Sequence, residues 1–176
     1  MKISSILSVV TLSAGLQLAG AQSFISNMDG AQDGGGARQG TGTVGLTLAG
    51  STLTLSGGSY SGLTANSSAA HIHGPALPGV NVGILYDLTG IVTLGATSGT
   101  INGVVNIVNG TGGFTLAQQL TQLNSGLWYI NIHNASFPGG EIRGQITVVP
   151  EPTSTMLLLL GAVCAGWSLK RMNRAL

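Results

Sequence analysis

The middle of the chain alternates between apolar and polar residues. From 44 to 48, Val and Leu alternate with Gly and Thr, and from 52 to 56 Leu alternates with Thr and Ser. Successive side chains of a β-strand point to opposite faces, so a period of two is typical of strands that bury one face. Gly57-Gly58 is expected to end the second strand, with a third over 59–63. The pattern predicts antiparallel strands joined by short turns.

Two segments depart from this period. Residues 26–42 are rich in Gly and polar side chains without periodicity, which predicts a loop. Leu116, Leu120 and Leu123 recur at helical spacing, which predicts one short helix over 114–123. Further β segments are expected at 69–73, 80–86, 91–94, 100–108, 127–133 and 141–146. Strands at short intervals favour an all-β fold, an antiparallel Greek-key-like β-sandwich of about seven to nine strands.

The stretch 127–146 reads as a strand, a Pro-Gly-Gly turn and a second strand. Trp128 shares a face with two Ile residues and is predicted to be buried, although its ring, like those of Tyr60 and Tyr129, also suits stacking on a sugar. His133 falls on the opposite face. Glu141 and Arg143 share a face after the turn. In a region with so few charges, we expect them to form a structural pair, or Arg143 to clamp a loop.

Both ends of the chain read as targeting segments. Residues 1–21 combine a Lys, an apolar run and an Ala-Gly-Ala site, as a secretory signal peptide does. An apolar run over about 153–169 precedes three basic residues, which is typical of a membrane helix with its end in the cytoplasm. These features predict a signal peptide at 1–21, one domain at 22–148 and an anchor segment at 149–176.

Charge and motifs narrow the function of the central domain. It carries four carboxylates and two Arg, a net charge of −2, so it lacks the clustered basic residues that bind nucleic acid. The single Cys164 lies in the predicted membrane helix, so no disulfide is expected in the domain. The chain shows no nucleophile elbow, phosphate loop or dinucleotide fingerprint. We therefore predict no enzyme activity and no catalytic residues, and the leading interpretation requires no cofactor.

The three His residues form a candidate site for a metal. His71 and His73 are two apart on a predicted strand, so both rings project from one face. His133 ends another strand with the same Ile-His sequence, and the three rings converge if the two strands are neighbours. Three neutral imidazoles suit zinc or copper. The alternative is that each ring orders a turn by hydrogen bonding to the backbone.

Two sequences resemble the signatures of the CHRD (chordin) domain. They are Ala-His-Ile-His-Gly-Pro at 70–75, and Trp-Tyr-Ile-Asn-Ile-His-Asn with Phe-Pro-Gly-Gly-Glu-Ile-Arg-Gly-Gln-Ile at 128–146. The resemblance runs from about 24 to 148 and implies an extracellular β module, a family whose bacterial members have no settled activity. The chain departs from the family at 33–36, where Asp-Gly-Gly-Gly replaces Glu-Val-Pro-Pro. The His-x-His strand is also weakly similar to copper–zinc superoxide dismutases.

The tail from 149 to 176 resembles the PEP-CTERM sorting signal. Pro150, Glu151 and Pro152 precede the apolar run and the basic terminus, in that family's order. The resemblance implies cleavage by an exosortase-like membrane protease and release toward the cell surface or exopolysaccharide. A plain membrane anchor is the alternative.

These features together predict a protein that works outside the cytoplasm. We expect a non-enzymatic β module, exported by the secretion machinery through an inner-membrane-anchored intermediate to the cell surface or extracellular matrix. There it would bind exopolysaccharide or surface proteins. The first alternative is a periplasmic or surface protein that binds copper or zinc through His71, His73 and His133. One form of this alternative is a protein whose bound metal supplies dismutase-like chemistry. A carbohydrate-binding module using Trp128 and Tyr129 is a second alternative.

Overall fold

The computed structural model describes residues 21–34 and 36–150, which form eight β-strands and one α-helix. The strands are β1 (Gln22–Asp29), β2 (Thr41–Ala49), β3 (Thr52–Ser61), β4 (Ser67–His73), β5 (Ile84–Asp87), β6 (Gly99–Asn106), β7 (Tyr129–Asn134) and β8 (Ile142–Val148). The helix α1 spans Leu116–Asn124, after a single 3-10 turn at Thr111–Gly113. The prediction of an all-β fold with one short helix is confirmed.

All eight strands belong to one antiparallel sheet in the order β5-β4-β7-β8-β1-β2-β3-β6. The segment after β5 connects the two ends of the sheet. Its Val92 forms an isolated bridge with Ile101 of β6, and its Leu88 amide donates to the Ala70 carbonyl of β4 at 2.9 Å. The sheet therefore curls until it nearly closes like a barrel, and its opposite walls share one core.

The alternating residues fill this core as predicted. Val44, Leu46, Leu53 and Leu55 are at most 2% exposed, and the polar residues between them face outward or lie at intermediate depth. Trp128 is completely buried in the same cluster. Burial of apolar surface at about 25 cal/mol per Å² is the main stabilising contribution to such a sheet.

A loop was expected to begin at residue 26, and this prediction is wrong for residues 26–29, which belong to strand β1. The strand continues to Asp29 because it pairs with β2 on one side and with β8 on the other. The buried Ser26 hydroxyl donates to the Gly144 carbonyl at 2.9 Å, so a polar residue is accommodated on the inner face. Hydrogen bonding on both edges thus stabilises a strand whose own pattern is weak.

Gly57-Gly58 was predicted to end a strand, and this prediction is wrong. β3 runs through the pair, and its register against β6 shifts between Leu55 and Gly58, which is a β-bulge. Gly57 has a φ of 63°, and a Cβ on Gly58 would lie 2.7 Å from Val44. The two glycines therefore permit a bend within the strand.

Other boundaries shifted by a few residues. The strand expected over 80–86 begins at Ile84, and the segment expected over 91–94 makes only isolated bridges. The predicted helix is confirmed and begins at Leu116, where Thr115 and Gln118 form a reciprocal capping box.

The two predicted targeting segments fall on residues that the structure does not describe, apart from Ala21, Val149 and Pro150. The signal peptide at 1–21 and the membrane helix at about 153–169 are therefore not tested by it. Within residues 21–34 and 36–150, no helix is long and apolar enough to cross a membrane.

Candidate metal centre

The sheet brings all three His residues of the chain together. β4 carries His71 and His73, β7 carries His133, and the two strands pair with Ala69 opposite His133. The ring centroid of His71 lies 4.9 Å from that of His133 and 5.6 Å from that of His73. One nitrogen atom from each of the three rings lies within 4.8 Å of the corresponding nitrogen atoms of the other two. The neighbouring strands on which the predicted convergence depended are therefore present.

Backbone carbonyls determine which nitrogen two of these rings present to the cluster. His73 Nδ1 lies 2.9 Å from the Val82 carbonyl, and His133 Nδ1 lies 3.0 Å from the Pro138 carbonyl. Since a carbonyl only accepts hydrogen bonds, Nδ1 carries the proton in each neutral ring. Nε2 of both rings therefore keeps a lone pair. Proteins commonly orient metal-binding imidazoles in this way.

Two nitrogens of the cluster have unusual surroundings. His73 Nε2 is buried and has no hydrogen-bond partner. His71 Nδ1 lies 3.0 Å from His133 Nε2, and as the latter accepts, His71 Nδ1 is the donor in the metal-free protein. Buried polar atoms nearly always have a hydrogen-bond partner. A bound ligand would supply the partner that His73 Nε2 lacks.

Burial favours the neutral rings that a metal requires. His73 is 7% exposed and His133 is 8% exposed, while His71 is half-buried and borders the solvent. Desolvation lowers the pKa of His73 and the pKa of His133, because burial disfavours the charged imidazolium. Protons therefore compete weakly for these two nitrogens near neutral pH.

The cluster contains no fourth His, Cys, Asp or Glu among residues 21–34 and 36–150. Asp87 lies opposite His71 in the β4–β5 register, but its carboxylate accepts hydrogen bonds from the Thr89 amide and hydroxyl at 2.9 and 2.8 Å. The Thr89 amide, followed by its hydroxyl, lowers the pKa of Asp87. Catalytic zinc sites commonly have three protein ligands and one position left open, so a group of three His side chains suits a site of that kind.

A second layer of side chains packs behind His73. The Tyr129 ring stacks on the His73 ring at 4.9 Å between centroids, with the two planes 6° apart. The Arg143 guanidinium lies 3.4 Å from the centre of the Tyr129 ring. This role of Tyr129 could not be predicted from the sequence, since alternation places Tyr129 on the same face as His133 without showing which ring it contacts.

The predicted direct pair between Glu141 and Arg143 is not formed. Glu141 precedes β8 and its carboxylate accepts hydrogen bonds from Thr64, Gln39 and Asn134. Arg143 instead donates to the Leu77 and Val80 carbonyls and to Asn81 Oδ1. The alternative expectation, that Arg143 clamps a loop, describes what the structure contains.

The aromatic rings considered for sugar stacking lie in the interior. Trp128 is fully buried, and its indole nitrogen donates to Gln122 Oε1 at 3.2 Å. Tyr129 and Tyr60 are at most 2% exposed. None of these rings presents a face on which a sugar could stack, so the structure does not support the carbohydrate-binding alternative as it was framed.

Comparison with known proteins identifies the family. The profile of the CHRD domain matches residues 24–146, a stretch that includes the three His residues and all eight strands in whole or part. No curated protein matches the chain, and no solved structure matches it. Because the matched stretch covers well over half of the sequence, the chain belongs to the CHRD domain family.

Proposed function

We propose that this CHRD domain binds one copper or zinc ion through His71, His73 and His133. The observation that carries the proposal is the grouping of three ring nitrogens within 4.8 Å, one of which, His73 Nε2, is buried without a partner. The ion would bind His73 and His133 through Nε2, since Nδ1 of each is held by a carbonyl. His71 would contribute Nδ1, the nitrogen that faces His133.

The donor set determines the class of ion. Imidazole nitrogen suits zinc, copper and other late transition metals, whereas calcium and magnesium require several oxygen ligands. The cluster offers three nitrogens and no carboxylate among the described residues. An open fourth position would leave a bound ion accessible from the half-buried His71 side. The domain would therefore hold its ion where a small solvent-borne ligand can reach it.

We further propose that the domain reaches the cell surface or matrix by way of its two terminal segments. The signal peptide features of 1–21 support export, and the Pro150-Glu151-Pro152 tail supports processing by an exosortase-like protease. Removing 149–176 should shift the protein from the membrane fraction to the culture medium. Unchanged membrane and surface distribution would contradict the sorting proposal.

Metal analysis of the purified protein tests the proposed site. After incubation with zinc or copper and removal of unbound metal, we expect about one bound ion per chain. His71→Ala, His73→Ala and His133→Ala should each reduce this amount strongly. Asp87→Asn is a matched control, because Asp87 lies beside His71 but hydrogen-bonds to Thr89. Metal content that is low in the wild type, or unaffected by the His substitutions, would contradict the proposal.

A further inference from the structure

One exposed loop, residues 77–82, contacts the back of the His cluster, and we refer to it as the strap. It lies between β4 and β5. Its Val82 carbonyl accepts the hydrogen bond from His73 Nδ1 at 2.9 Å. Its Val82 amide donates to the Tyr129 hydroxyl at 3.2 Å. The end of the strap therefore contacts both rings of the His73–Tyr129 stack.

Side-chain burial does not hold the strap in place. Leu77 is 64% exposed and Val80 is 50% exposed, so their side chains contribute little apolar packing. Arg143 supplies the attachment instead. It is 1% exposed and donates to the Val80 carbonyl at 2.9 Å, to Asn81 Oδ1 at 3.1 Å and to the Leu77 carbonyl at 3.2 Å. Three acceptors of one loop thus converge on one guanidinium, whose rigid fork suits this geometry.

The same guanidinium is fixed by the ring beneath it. It lies 3.4 Å from the Tyr129 ring centre, and the His73 ring is stacked parallel to Tyr129. β4, which carries His73, pairs with β7 on one side, and β8, which carries Arg143, pairs with β7 on the other, so the two groups flank Tyr129 from opposite sides. Arg143, Tyr129 and His73 therefore form a continuous stack that the strap spans from end to end.

We propose that Tyr129 and Arg143 are positioning residues that hold the strap against His73 and so keep its Nε2 directed at the metal. The inference rests on the proposed metal site and explains how that site is kept ready in the metal-free protein. If the Val82 carbonyl moved away, His73 would exchange its proton between Nδ1 and Nε2, and the lone pair would point at the cluster only part of the time. Loss of such a supporting hydrogen bond commonly weakens metal binding about 10–100-fold.

The test combines two measurements on the full-length purified protein. Nitrogen-15 NMR of the metal-free protein reports which His73 nitrogen carries the proton, and competition with a chelator gives the zinc affinity. Tyr129→Phe keeps the ring but removes the hydroxyl that accepts from Val82. We expect it to give a mixture of His73 tautomers and about 10-fold weaker zinc binding. Arg143→Lys, which keeps the charge without the fork, should have a larger effect.

Asn81→Ala is a second variant that weakens the attachment of the strap, and it tests the proposal even if Arg143→Lys does not fold. Asn81 is exposed and is one of three strap acceptors, so its removal should leave the fold intact and weaken zinc binding less than Tyr129→Phe does. Thr89→Ala is the control, because it disturbs Asp87 beside His71 and leaves the strap alone. It should retain the wild-type His73 tautomer and zinc affinity.

The outcomes separate this inference from the proposed function. Folded Tyr129→Phe and Asn81→Ala proteins that keep the Nδ1–H tautomer and the wild-type affinity would overturn the positioning role, while the metal site itself would stand. A wild-type protein that binds no zinc or copper would overturn the proposed function and, with it, the purpose assigned to the stack. In that case the tautomer measurement would still report whether Tyr129 fixes His73.

Discussion

Thr64 donates hydrogen bonds to the Glu141 carboxylate through both its backbone amide and its side-chain hydroxyl. The Thr64 amide donates to Oε1 at 2.9 Å, and the Thr64 hydroxyl donates to Oε2 at 3.0 Å. The carboxylate also accepts from the Gln39 amide at 3.1 Å and from Asn134 Nδ2. Glu141 is completely buried. It therefore connects the segment before β2, the loop between β3 and β4, and the end of β7.

Replacing this carboxylate should destabilise the domain strongly. Glu141→Gln substitutes an NH₂ group for one acceptor oxygen, so buried donors would lose their partner and face another donor. We expect the free energy of unfolding to fall by about 2 kcal/mol or more, measured by urea denaturation. Asp87→Asn, which alters an exposed carboxylate, should change it by less than about 1 kcal/mol. Equal effects of the two substitutions would show that the Glu141 network contributes little.

Gly140 is expected to be far less tolerant of substitution than its neighbour Gly139. Gly140 has a φ of 125°, and an added Cβ would collide with the Asn131 amide and the Asp33 carboxylate, whereas a Cβ on Gly139 meets nothing within 4 Å. Gly140→Ala should cost about 2 kcal/mol or more in thermal or urea unfolding. Gly139→Ala should stay within about 0.5 kcal/mol of the wild type. Similar stability of both variants would contradict this account.

The convergence of the three His residues could be predicted from the sequence only in part. Alternation places His71 and His73 on one face of a strand. It does not show which strands are neighbours, and the pairing of β4 with β7 joins residues that are more than 50 positions apart. The Ile-His sequence at both places supplied the hint. The strap could not be predicted, because most of its contacts are made by backbone groups whose positions depend on the path of the loop.

The error over Glu141 and Arg143 has a local physical cause. Placing both on one strand face assumed that β8 begins before Glu141, but it begins at Ile142. The positive φ of Gly140 changes the chain's direction just before Glu141, so strict alternation does not apply there. The early strand was missed for a different reason. β1 gains its hydrogen bonds from two neighbours, which a local pattern cannot reveal.

Tyr60 is expected to stabilise the closure of the sheet. Its hydroxyl lies 2.7 Å from Ser67 Oγ on β4 and donates to the Thr93 carbonyl at 2.7 Å, so it connects β3 with the far end of the sheet. Tyr60→Phe keeps the buried ring and should lower the free energy of unfolding by about 1–2 kcal/mol. Ser59→Ala, at an exposed neighbouring position, serves as the control. A Tyr60→Phe protein as stable as the wild type would show that the sheet closes without this link.

Asp33 should make a contribution to stability that depends on pH. Its side chain is 2% exposed, and its pKa is raised above the usual 3.8 because desolvation outweighs the attraction of Arg38, whose Nε lies 3.7 Å away, and of Arg143. The folded protein therefore holds the proton more tightly than the unfolded chain does. The associated stability is fully present below about pH 3.8 and is lost as the pH rises through the higher folded-state pKa.

Asp33→Asn isolates this contribution from those of the other carboxylates. The amide is never charged, and it offers a donor near Asn131 Oδ1, a buried acceptor that has no partner. The free energy of unfolding of the variant relative to the wild type should therefore increase between pH 3.5 and pH 7. Urea denaturation at a series of pH values measures this difference. A difference that stays constant, or that decreases as the pH rises, would show that the Arg38 and Arg143 charges outweigh the burial of the Asp33 carboxylate.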